Sequence, residues 1–397
     1  MNFDLQARLT RRDFLSASLL TGGLWLIGAE RLMLPRALLG VLQDPFAGGK
    51  RLGNVDFIGE SRVPVPMETP LGSELDGRVF TDLAAITPEN AVVSTEKFYV
   101  RTRASKLLDL SKPWRIQLPG SGNSSSLTIP ELMRMSEPQG LHLMECAGNT
   151  REGHFGLLSV ADWSGVPLEK LASRIEPKEK GGRVLVSGFD TYSSVSRTSI
   201  PGASWVFTWD ELIAARAFLA TKMNGQLLTP DHGAPVRLVI PGWYGCTCIK
   251  WTNEISLVNG DVEATSQMQE YAQRTHQQGT PRLAREFDPA VIDPAAMPIR
   301  VEKWQVNGGI KYRIAGISWG GPERAKALAI QFNPEENFVP VDRILPVKTD
   351  SWSFWTHAWN PPQPGTYVIR LRVTAPQVRT RRLDMGFYAR AVRIDEV

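Results

Sequence analysis

Cysteine is scarce in this sequence, and its scarcity excludes several classes of protein. The 397 residues include only three cysteines, Cys146, Cys246 and Cys248. Three thiols cannot form a disulfide framework, so a hydrophobic core must supply the stability. With five scattered histidines they also give no zinc-cluster spacing. The Cys-x-x-Cys-His pattern of covalent haem attachment does not occur.

Neither sign of charge dominates the sequence. It holds 45 lysines and arginines against 41 aspartates and glutamates, a net charge of +4, without a lysine-rich tail. Such a balance gives no indication of nucleic-acid binding. A length of 397 residues suffices for two domains that each have a core.

Long hydrophobic runs are also lacking, and the most apolar stretch lies near the N-terminus. Leu19–Ile27 is short for a membrane span and is interrupted by Gly22 and Gly23. The pair Arg11-Arg12 precedes it, which is typical of the bacterial twin-arginine export signal and predicts a periplasmic protein. The alternative is a chance basic pair before an ordinary helix. Because no clear cleavage site follows, residues 1–45 are expected to be a signal or a retained N-terminal anchor.

The most informative stretch of the sequence surrounds Cys146. A strand-like apolar run starting at Leu141 leads to this cysteine, and the small-residue turn Ala147–Asn149 lets a bulky group approach the backbone closely. Arg151 follows, and a nearby cation favours the thiolate, which is the form that binds metals or attacks electrophiles. The alternative is that Cys146 is a buried small hydrophobe, as most free cysteines are.

Three blocks of the sequence resemble signatures of the sulfite oxidase family. Glu145–Asn149 resembles its molybdenum-ligand motif, Lys222–Gly245 resembles its longest signature, and Ile249–Trp251 completes that signature. The blocks occur in the family's order. The resemblance implies an enzyme that uses the molybdenum–molybdopterin cofactor (Moco), with Cys146 as the protein ligand of the metal.

The same resemblance implies two domains. It predicts an α+β molybdopterin-binding domain with the sulfite oxidase fold over residues 46–295. An all-β immunoglobulin-like sandwich over residues 296–397 should follow and make the protein a homodimer. The residue pattern agrees, since short β-rich segments separated by Gly, Pro and Asn turns fill the C-terminal part. These segments are Ile299–Trp304, Ile310–Trp319, Ala327–Asn333, Phe338–Val341, Ser351–Trp359 and Thr366–Thr374.

Catalytic residues can be nominated from the resemblance. Arg101 matches a substrate-binding arginine, and Arg101 with Arg151 would bind an oxyanion by charge-assisted hydrogen bonds. Tyr271 is the candidate catalytic tyrosine because of its spacing beyond Lys250. The alternatives are an arginine on a solvated strand edge and an exposed helix tyrosine. The family's pocket tryptophan has no counterpart, and Gly153–Phe155 occupies the gap.

Cofactor-binding residues are nominated in the same way. His232 and Arg237 follow the turn-forming Pro230-Asp231, and such a pair forms a cradle for an anion because guanidinium binds phosphate oxygens in bidentate fashion. The resemblance assigns a larger set to the pterin, namely Arg103, Cys146, Asp190, His232, Arg237 and Lys250. At position 103 the family has a histidine. Arg103 keeps a charge that can bind phosphate, but its side chain has a different shape.

The function that the resemblance implies is oxygen-atom transfer, with sulfite oxidised to sulfate. Because the sequence contains no haem motif, electrons are expected to pass to an external acceptor such as a c-type cytochrome. One alternative uses the same centre in reverse, to reduce a sulfoxide or another oxygenated substrate. A second alternative is a non-catalytic exported binding protein built on the sandwich domain.

Overall fold

The computed structural model describes residues 44–60, 78–101, 108–119, 126–189, 203–321, 327–345 and 351–397. Contacts divide the chain into residues 1–47 and a compact unit of residues 48–397, which contains all the strands and α-helices of the described residues. Among the residues described, no helix has both the length and the apolar character needed to cross a bilayer. The predicted export signal lies almost wholly outside the described residues.

The strands of the N-terminal part are short, and most carry one buried face. In chain order they are β1 (Lys50–Val55), β2 (Phe57–Ile58), β3 (Arg78–Val79), β4 (Val100–Arg101), β5 (Arg115–Gln117), β6 (Ser126–Thr128), β7 (Glu137–Glu145), β8 (Leu158–Pro167), β9 (Arg183–Gly188), β10 (Ser204–Phe207), β11 (Phe218–Met223), β12 (Gln226–Leu227), β13 (Arg237–Val239) and β14 (Thr252–Val258).

The C-terminal part of the described chain is built mainly from strands. These are β15 (Ala295–Val306), β16 (Gly309–Trp319), β17 (Leu328–Gln331), β18 (Val339–Pro340), β19 (Arg343–Leu345), β20 (Ser353–Trp359), β21 (Gly365–Val373) and β22 (Arg390–Ile394). The α-helices of the described chain are α1 (Ile129–Met135), α2 (Ala172–Ile175), α3 (Trp209–Ala214), α4 (Ser266–Tyr271) and α5 (Arg381–Asp384).

Two sheets of the N-terminal part position the site. One has the order β10-β9-β14-β5-β6, and the other has the order β12-β11-β8-β7 with β13 beside β11. Antiparallel pairing of β7 with β8 places Glu145 opposite Leu158 at the end of the ladder. Since β7 ends at Glu145, Cys146 is the first residue of the turn that follows.

Two further sheets form the predicted C-terminal β-sandwich. Their orders are β1-β15-β16-β20-β19 and β18-β17-β21-β22-β2. The indole of Trp355 lies over Gly316, where an added Cβ would approach the ring to 2.1 Å, so a larger residue cannot pack there. Strands β1 and β2, which the predicted boundaries assign to the first domain, pair with β15 and β22.

Local sequence accounts for the helices, with one correction. Thr128 caps α1, because its hydroxyl accepts from the Glu131 amide while the Glu131 carboxylate accepts from the Thr128 amide. The apolar spacing of Trp209–Met223 predicts one helix, and this prediction is wrong. The helix ends at Ala214 and β11 begins at Phe218, because Arg216 adopts a left-handed φ of 54° between them.

Candidate functional site

One cleft collects most of the nominated residues. Its lining includes Arg101, Cys146, His232, Arg237, Lys250 and Tyr271, which come from separate parts of the sequence. Arg103 and Asp190, also nominated for the pterin, lie outside the described residues.

The turn after β7 fixes Cys146 in the wall of the cleft. Its backbone amide donates to Leu157 O at 2.9 Å, and its sulfur accepts from the Gly148 amide at 3.4 Å. Asn149 closes the turn, since its amide donates to Cys146 O at 2.9 Å and its side-chain oxygen accepts from the Leu157 amide at 3.1 Å. The thiol is thus held by backbone contacts on both sides, in an orientation that leaves it in the cleft wall.

The residue before Cys146 ties the turn to the C-terminal sheets. Glu145 is fully buried, and its carboxylate accepts from Trp319 Nε1 at 2.8 Å and from the Tyr388 hydroxyl at 3.1 Å. Burial raises the pKa of this carboxyl, and the Arg382 guanidinium, 3.9 Å away, opposes the rise. Arg382 also donates to Ala147 O at 3.0 Å. Residues of the sandwich region therefore support the cysteine turn directly.

A buried cation forms the inner end of the cleft. Arg237 is 4% exposed, and its Nη atoms donate to His232 O at 3.2 Å and to Cys248 O at 2.9 Å. Its Nε is buried and has no hydrogen-bond partner among the described residues. Burial lowers the pKa of this guanidinium. The carbonyl partners of this buried arginine carry no charge, so a bound anion would stabilise it by neutralising the guanidinium.

His232 and Lys250 extend this inner end. Burial, with the charges of Arg237 and Lys250, lowers the pKa of His232 to about 4, so the imidazole is neutral near pH 7. It contacts the Thr229 hydroxyl at 2.7 Å through Nδ1. Lys250 Nζ donates to Asp231 O at 3.2 Å and lies 4.2 Å from the centroid of the Trp251 ring. The inner end thus presents two cations beside a neutral imidazole.

Arg151 is placed differently from the other nominated residues. It is exposed, it is not part of the cleft lining, and its Nη2 donates to Ala389 O at 2.9 Å. The residues that fill the predicted gap also lie outside the cleft lining. His154 Nδ1 contacts Glu60 Oε2 at 3.0 Å, and Phe155 packs on Tyr388 with ring centroids 5.5 Å apart.

Tyr271 also lines the cleft, from the C-terminus of α4. Burial raises the pKa of its hydroxyl while the Arg101 charge opposes the rise, so the phenol is protonated at neutral pH. The Arg274 guanidinium lies 5.5 Å from the centroid of its ring. We define the rim as Arg101 and Tyr271, which line the cleft, together with Gly148 and Arg274, which lie beside Cys146 and Tyr271 outside that lining. Charge therefore lies close to a hydroxyl donor at the rim.

Sequence reasoning missed Glu145, Arg274 and Arg382. An acid that ends a buried apolar strand was a usable signal for Glu145, because a buried carboxylate requires partners. The three-residue spacing from Tyr271 was a signal for Arg274, because residues three apart share a helical face. Nothing local distinguishes Arg382 from the other arginines near it in the sequence.

The residues present fit the molybdenum–molybdopterin group. Cys146 offers one soft sulfur, and the described part of the chain holds no set of three or more His, Cys, Asp or Glu residues arranged to bind a metal by themselves. The unpaired Nε of Arg237 and the neighbouring Lys250 suit the phosphate of a pterin. This fit rests on the donor set and on the orphaned buried nitrogen.

Comparison with known proteins agrees with this arrangement. Residues 104–266 match the family described as the oxidoreductase molybdopterin binding domain. Mitochondrial sulfite oxidase of Rattus norvegicus is 27% identical over 239 residues, which cover 53% of this chain and 42% of that protein. The NADPH nitrate reductase of Beauveria bassiana is 35% identical over 127 residues, covering 29% of this chain and 14% of that protein. The chain spans less than half the length of these two relatives.

A solved structure shows the same overall fold. The crystal structure of the sulfane dehydrogenase SoxCD from Paracoccus pantotrophus matches 90% of this chain and 86% of that chain, with a TM-score of 0.55 and 16% sequence identity. The fold prediction, a molybdopterin-binding domain followed by a β-sandwich, is thereby confirmed.

Proposed function

We propose that this chain is a molybdenum oxidoreductase that oxidises sulfite to sulfate. The match of residues 104–266 to the oxidoreductase molybdopterin binding domain and the similarity to mitochondrial sulfite oxidase of Rattus norvegicus support this proposal. The observation that carries the proposal is the placement of Cys146 in a cleft lined by Arg101, Arg237 and Lys250. A soft sulfur donor suits a metal bound by a dithiolene, and cations suit an oxyanion. In the overall reaction water supplies the oxygen atom, and two protons and two electrons leave.

Each residue of the cleft has a distinct role in this proposal. The Cys146 thiolate holds the metal, while Arg237, Lys250 and neutral His232 hold the pterin end. When bound, the cofactor supplies oxygen-atom transfer coupled to two electrons. Arg101 attracts the oxyanion, and the Tyr271 hydroxyl stays protonated because burial raises its pKa, so it donates a hydrogen bond to a substrate oxygen.

The location and partners are part of the same proposal. The Arg11-Arg12 pair before an apolar stretch supports export to the periplasm, and fractionation of cells that express an Arg11→Lys, Arg12→Lys variant tests this location.

A c-type cytochrome is the proposed electron acceptor, and pairing of the C-terminal sandwich would give a homodimer. Analytical ultracentrifugation of the full chain tests the dimer.

A second candidate is the reductive direction, in which an oxygenated substrate such as a sulfoxide loses its oxygen. Two observations favour it as the rival. The nitrate reductase of Beauveria bassiana is the more identical of the two relatives over its matched region. The residues that replace the family's pocket tryptophan turn away from the cleft, as the contact of His154 with Glu60 shows.

The test compares wild type with Cys146→Ser, and uses Cys246→Ser to separate two thiols of the same cleft. Molybdenum is measured by elemental analysis, turnover by sulfite-dependent cytochrome c reduction, and the rival by sulfoxide-dependent oxidation of a reduced dye. We expect about one molybdenum per wild-type chain and at least about a hundredfold loss of sulfite turnover in Cys146→Ser only.

Other outcomes decide against parts of the proposal. Full molybdenum without sulfite turnover would refute the substrate, and turnover with a sulfoxide would then favour the rival. A wild-type chain that carries no molybdenum, after expression in a host that makes the pterin, would refute the enzyme and leave an exported binding protein as the remaining interpretation.

A further inference from the structure

Arg274 occupies a fixed position at the rim of the cleft. It lies in the helical turn Gln273–Thr275, directly after α4, and its guanidinium stacks over Tyr271. Its backbone carbonyl accepts from Arg382 Nη2 at 2.8 Å, which anchors the main chain to the C-terminal region. The side chain itself is exposed. The backbone therefore holds a solvent-facing cation at one place beside the cleft.

Gly148 leaves an opening between this cation and the cysteine sulfur. A Cβ built on Gly148 would lie 3.5 Å from Arg274 Nη1 and 3.7 Å from Cys146 Sγ. The nitrogen and the sulfur are therefore no farther apart than the sum of these two distances. Gly148 does not adopt a positive φ, so its backbone conformation does not itself require glycine. The missing side chain instead leaves space in front of the thiol.

The charge of Arg274 is not neutralised within the described part of the chain. No described carboxylate lies within 4.0 Å of its guanidinium, whereas Arg382 faces Glu145. Arg151, which the sequence nominates for the substrate, is bound instead to Ala389 O. Of these three arginines beside the Cys146 turn, Arg274 is thus the one that offers its charge to the space in front of the sulfur.

We propose that Arg274 is a substrate-binding residue of the cleft, and that its guanidinium binds an oxygen of a small oxyanion in the opening left by Gly148. The inference rests on the proposed function, because it names the residue that recognises the anionic substrate there. Arg101 and Arg274 both lie near Tyr271, so an anion at the rim meets two cations and one hydroxyl donor. The planar guanidinium matches two oxygens of such an anion.

The experiment measures anion binding independently of turnover. Sulfate, the proposed product, is titrated into the holoenzyme in a buffer of low ionic strength, and its binding is measured by calorimetry. The variants are Arg274→Gln, Arg274→Lys, Arg151→Gln and Arg282→Gln. The last is the matched control, because Arg282 is also an exposed arginine but its guanidinium is paired with Glu263. Molybdenum content and the kinetic constants for sulfite are measured on the same preparations.

Arg274→Gln should raise the sulfate Kd about tenfold, which corresponds to about 1.4 kcal/mol. The sulfite KM should rise in parallel, while kcat and the molybdenum content stay close to those of wild type. Arg274→Lys should recover part of the affinity, because it keeps the charge and loses the planar fork. Arg282→Gln should bind sulfate as wild type does. A purely structural role would lower molybdenum or kcat and would leave the sulfate Kd unchanged.

Two results would overturn the inference, and one separates it from the proposed function. An unchanged sulfate Kd in Arg274→Gln refutes the role of Arg274 even if wild type oxidises sulfite. If the sulfate Kd increases more in Arg151→Gln than in Arg274→Gln, Arg151 is the substrate-binding residue instead. If the wild type does not oxidise sulfite, but Arg274→Gln binds sulfate more weakly than the wild type does, the binding role of Arg274 stands and the proposed reaction fails.

Discussion

The two ends of the cleft hold arginines in opposite settings. At the inner end Arg237 is 4% exposed and is held by the carbonyls of His232 and Cys248. At the rim Arg274 is exposed, and no described carboxylate lies close enough to pair with it. The first arginine is fixed before any ligand arrives, whereas the second keeps its side chain in solvent.

The difference in burial between the two arginines suits two kinds of ligand, one that stays bound and one that exchanges. A buried cation that the protein does not neutralise costs free energy, and it is tolerated where a permanent anionic group offsets that cost. An exposed cation costs little by itself and suits an anion that must enter and leave on every turnover. Under the proposed function, the inner end therefore suits the cofactor, and the rim suits the substrate.

The largest expected effect comes from Arg237→Met. Without the buried cation, molybdenum should fall below about one tenth of the wild-type content, because the phosphate loses a charge-assisted partner. In the cofactor-free chain the same change should alter the free energy of unfolding by only about 1 kcal/mol. The lost carbonyl contacts are offset there by removal of an unneutralised charge. Elemental analysis and urea denaturation measure the two quantities.

Arg382→Met is the matched control for this prediction, since it also replaces a buried arginine near Cys146. It leaves the Glu145 carboxylate buried without its cation and should destabilise even the cofactor-free chain by about 3 kcal/mol. Equal destabilisation by the two substitutions would mean that Arg237 serves the fold, and the contrast between inner end and rim would lose its basis.

The three inner-end residues that the sequence nominates together all line the cleft, and there is a physical reason for this. His232, Arg237 and Lys250 lie within twenty residues of one another, so their spacing is legible along the chain. Arg274, Arg382 and Glu145 meet only because the C-terminal region packs on the cysteine turn, and local patterns do not encode such distant contacts. For the same reason the spacing nominated Arg151, whose side chain the fold turns to Ala389.

The fold shows the same limit. Short β-rich segments separated by Gly, Pro and Asn turns predicted the C-terminal strands, among them β20 and β21. It did not predict that β1 and β2 complete those sheets, since edge pairing depends on the global path of the chain. The helix predicted over residues 209–223 is wrong because apolar spacing carries no information about the left-handed residue Arg216.

An intermediate effect concerns the pH dependence of the inner end. The pKa of His232 is about 4 in the folded chain and about 6.5 when unfolded, so the unfolded chain binds more protons between these values. Stability should therefore fall as the pH drops below about 6.5, by about 2 kcal/mol between pH 7 and pH 5 in the cofactor-free chain.

Urea denaturation of the cofactor-free wild type and of His232→Gln at both pH values measures this contribution. The variant should lose about 2 kcal/mol less than wild type over the interval, because glutamine keeps a hydrogen-bonding side chain but does not titrate. An equal loss of unfolding free energy in both proteins would show that the pKa of His232 is not lowered, and that water reaches the inner end more than its burial indicates.

The smallest effect should come from Gly148→Ala, which probes the opening at the rim. The added methyl would make ordinary contacts of 3.5 Å with Arg274 Nη1 and 3.7 Å with Cys146 Sγ, so the fold should accept it and Tm should be unchanged. It would narrow the space where the oxyanion is proposed to bind, and the sulfite KM should rise about fivefold, about 1 kcal/mol, with kcat close to wild type. An unchanged KM would place the substrate elsewhere. Loss of molybdenum would instead assign the Gly148 opening to the cofactor, which would move the border between the two ends outward to Arg274.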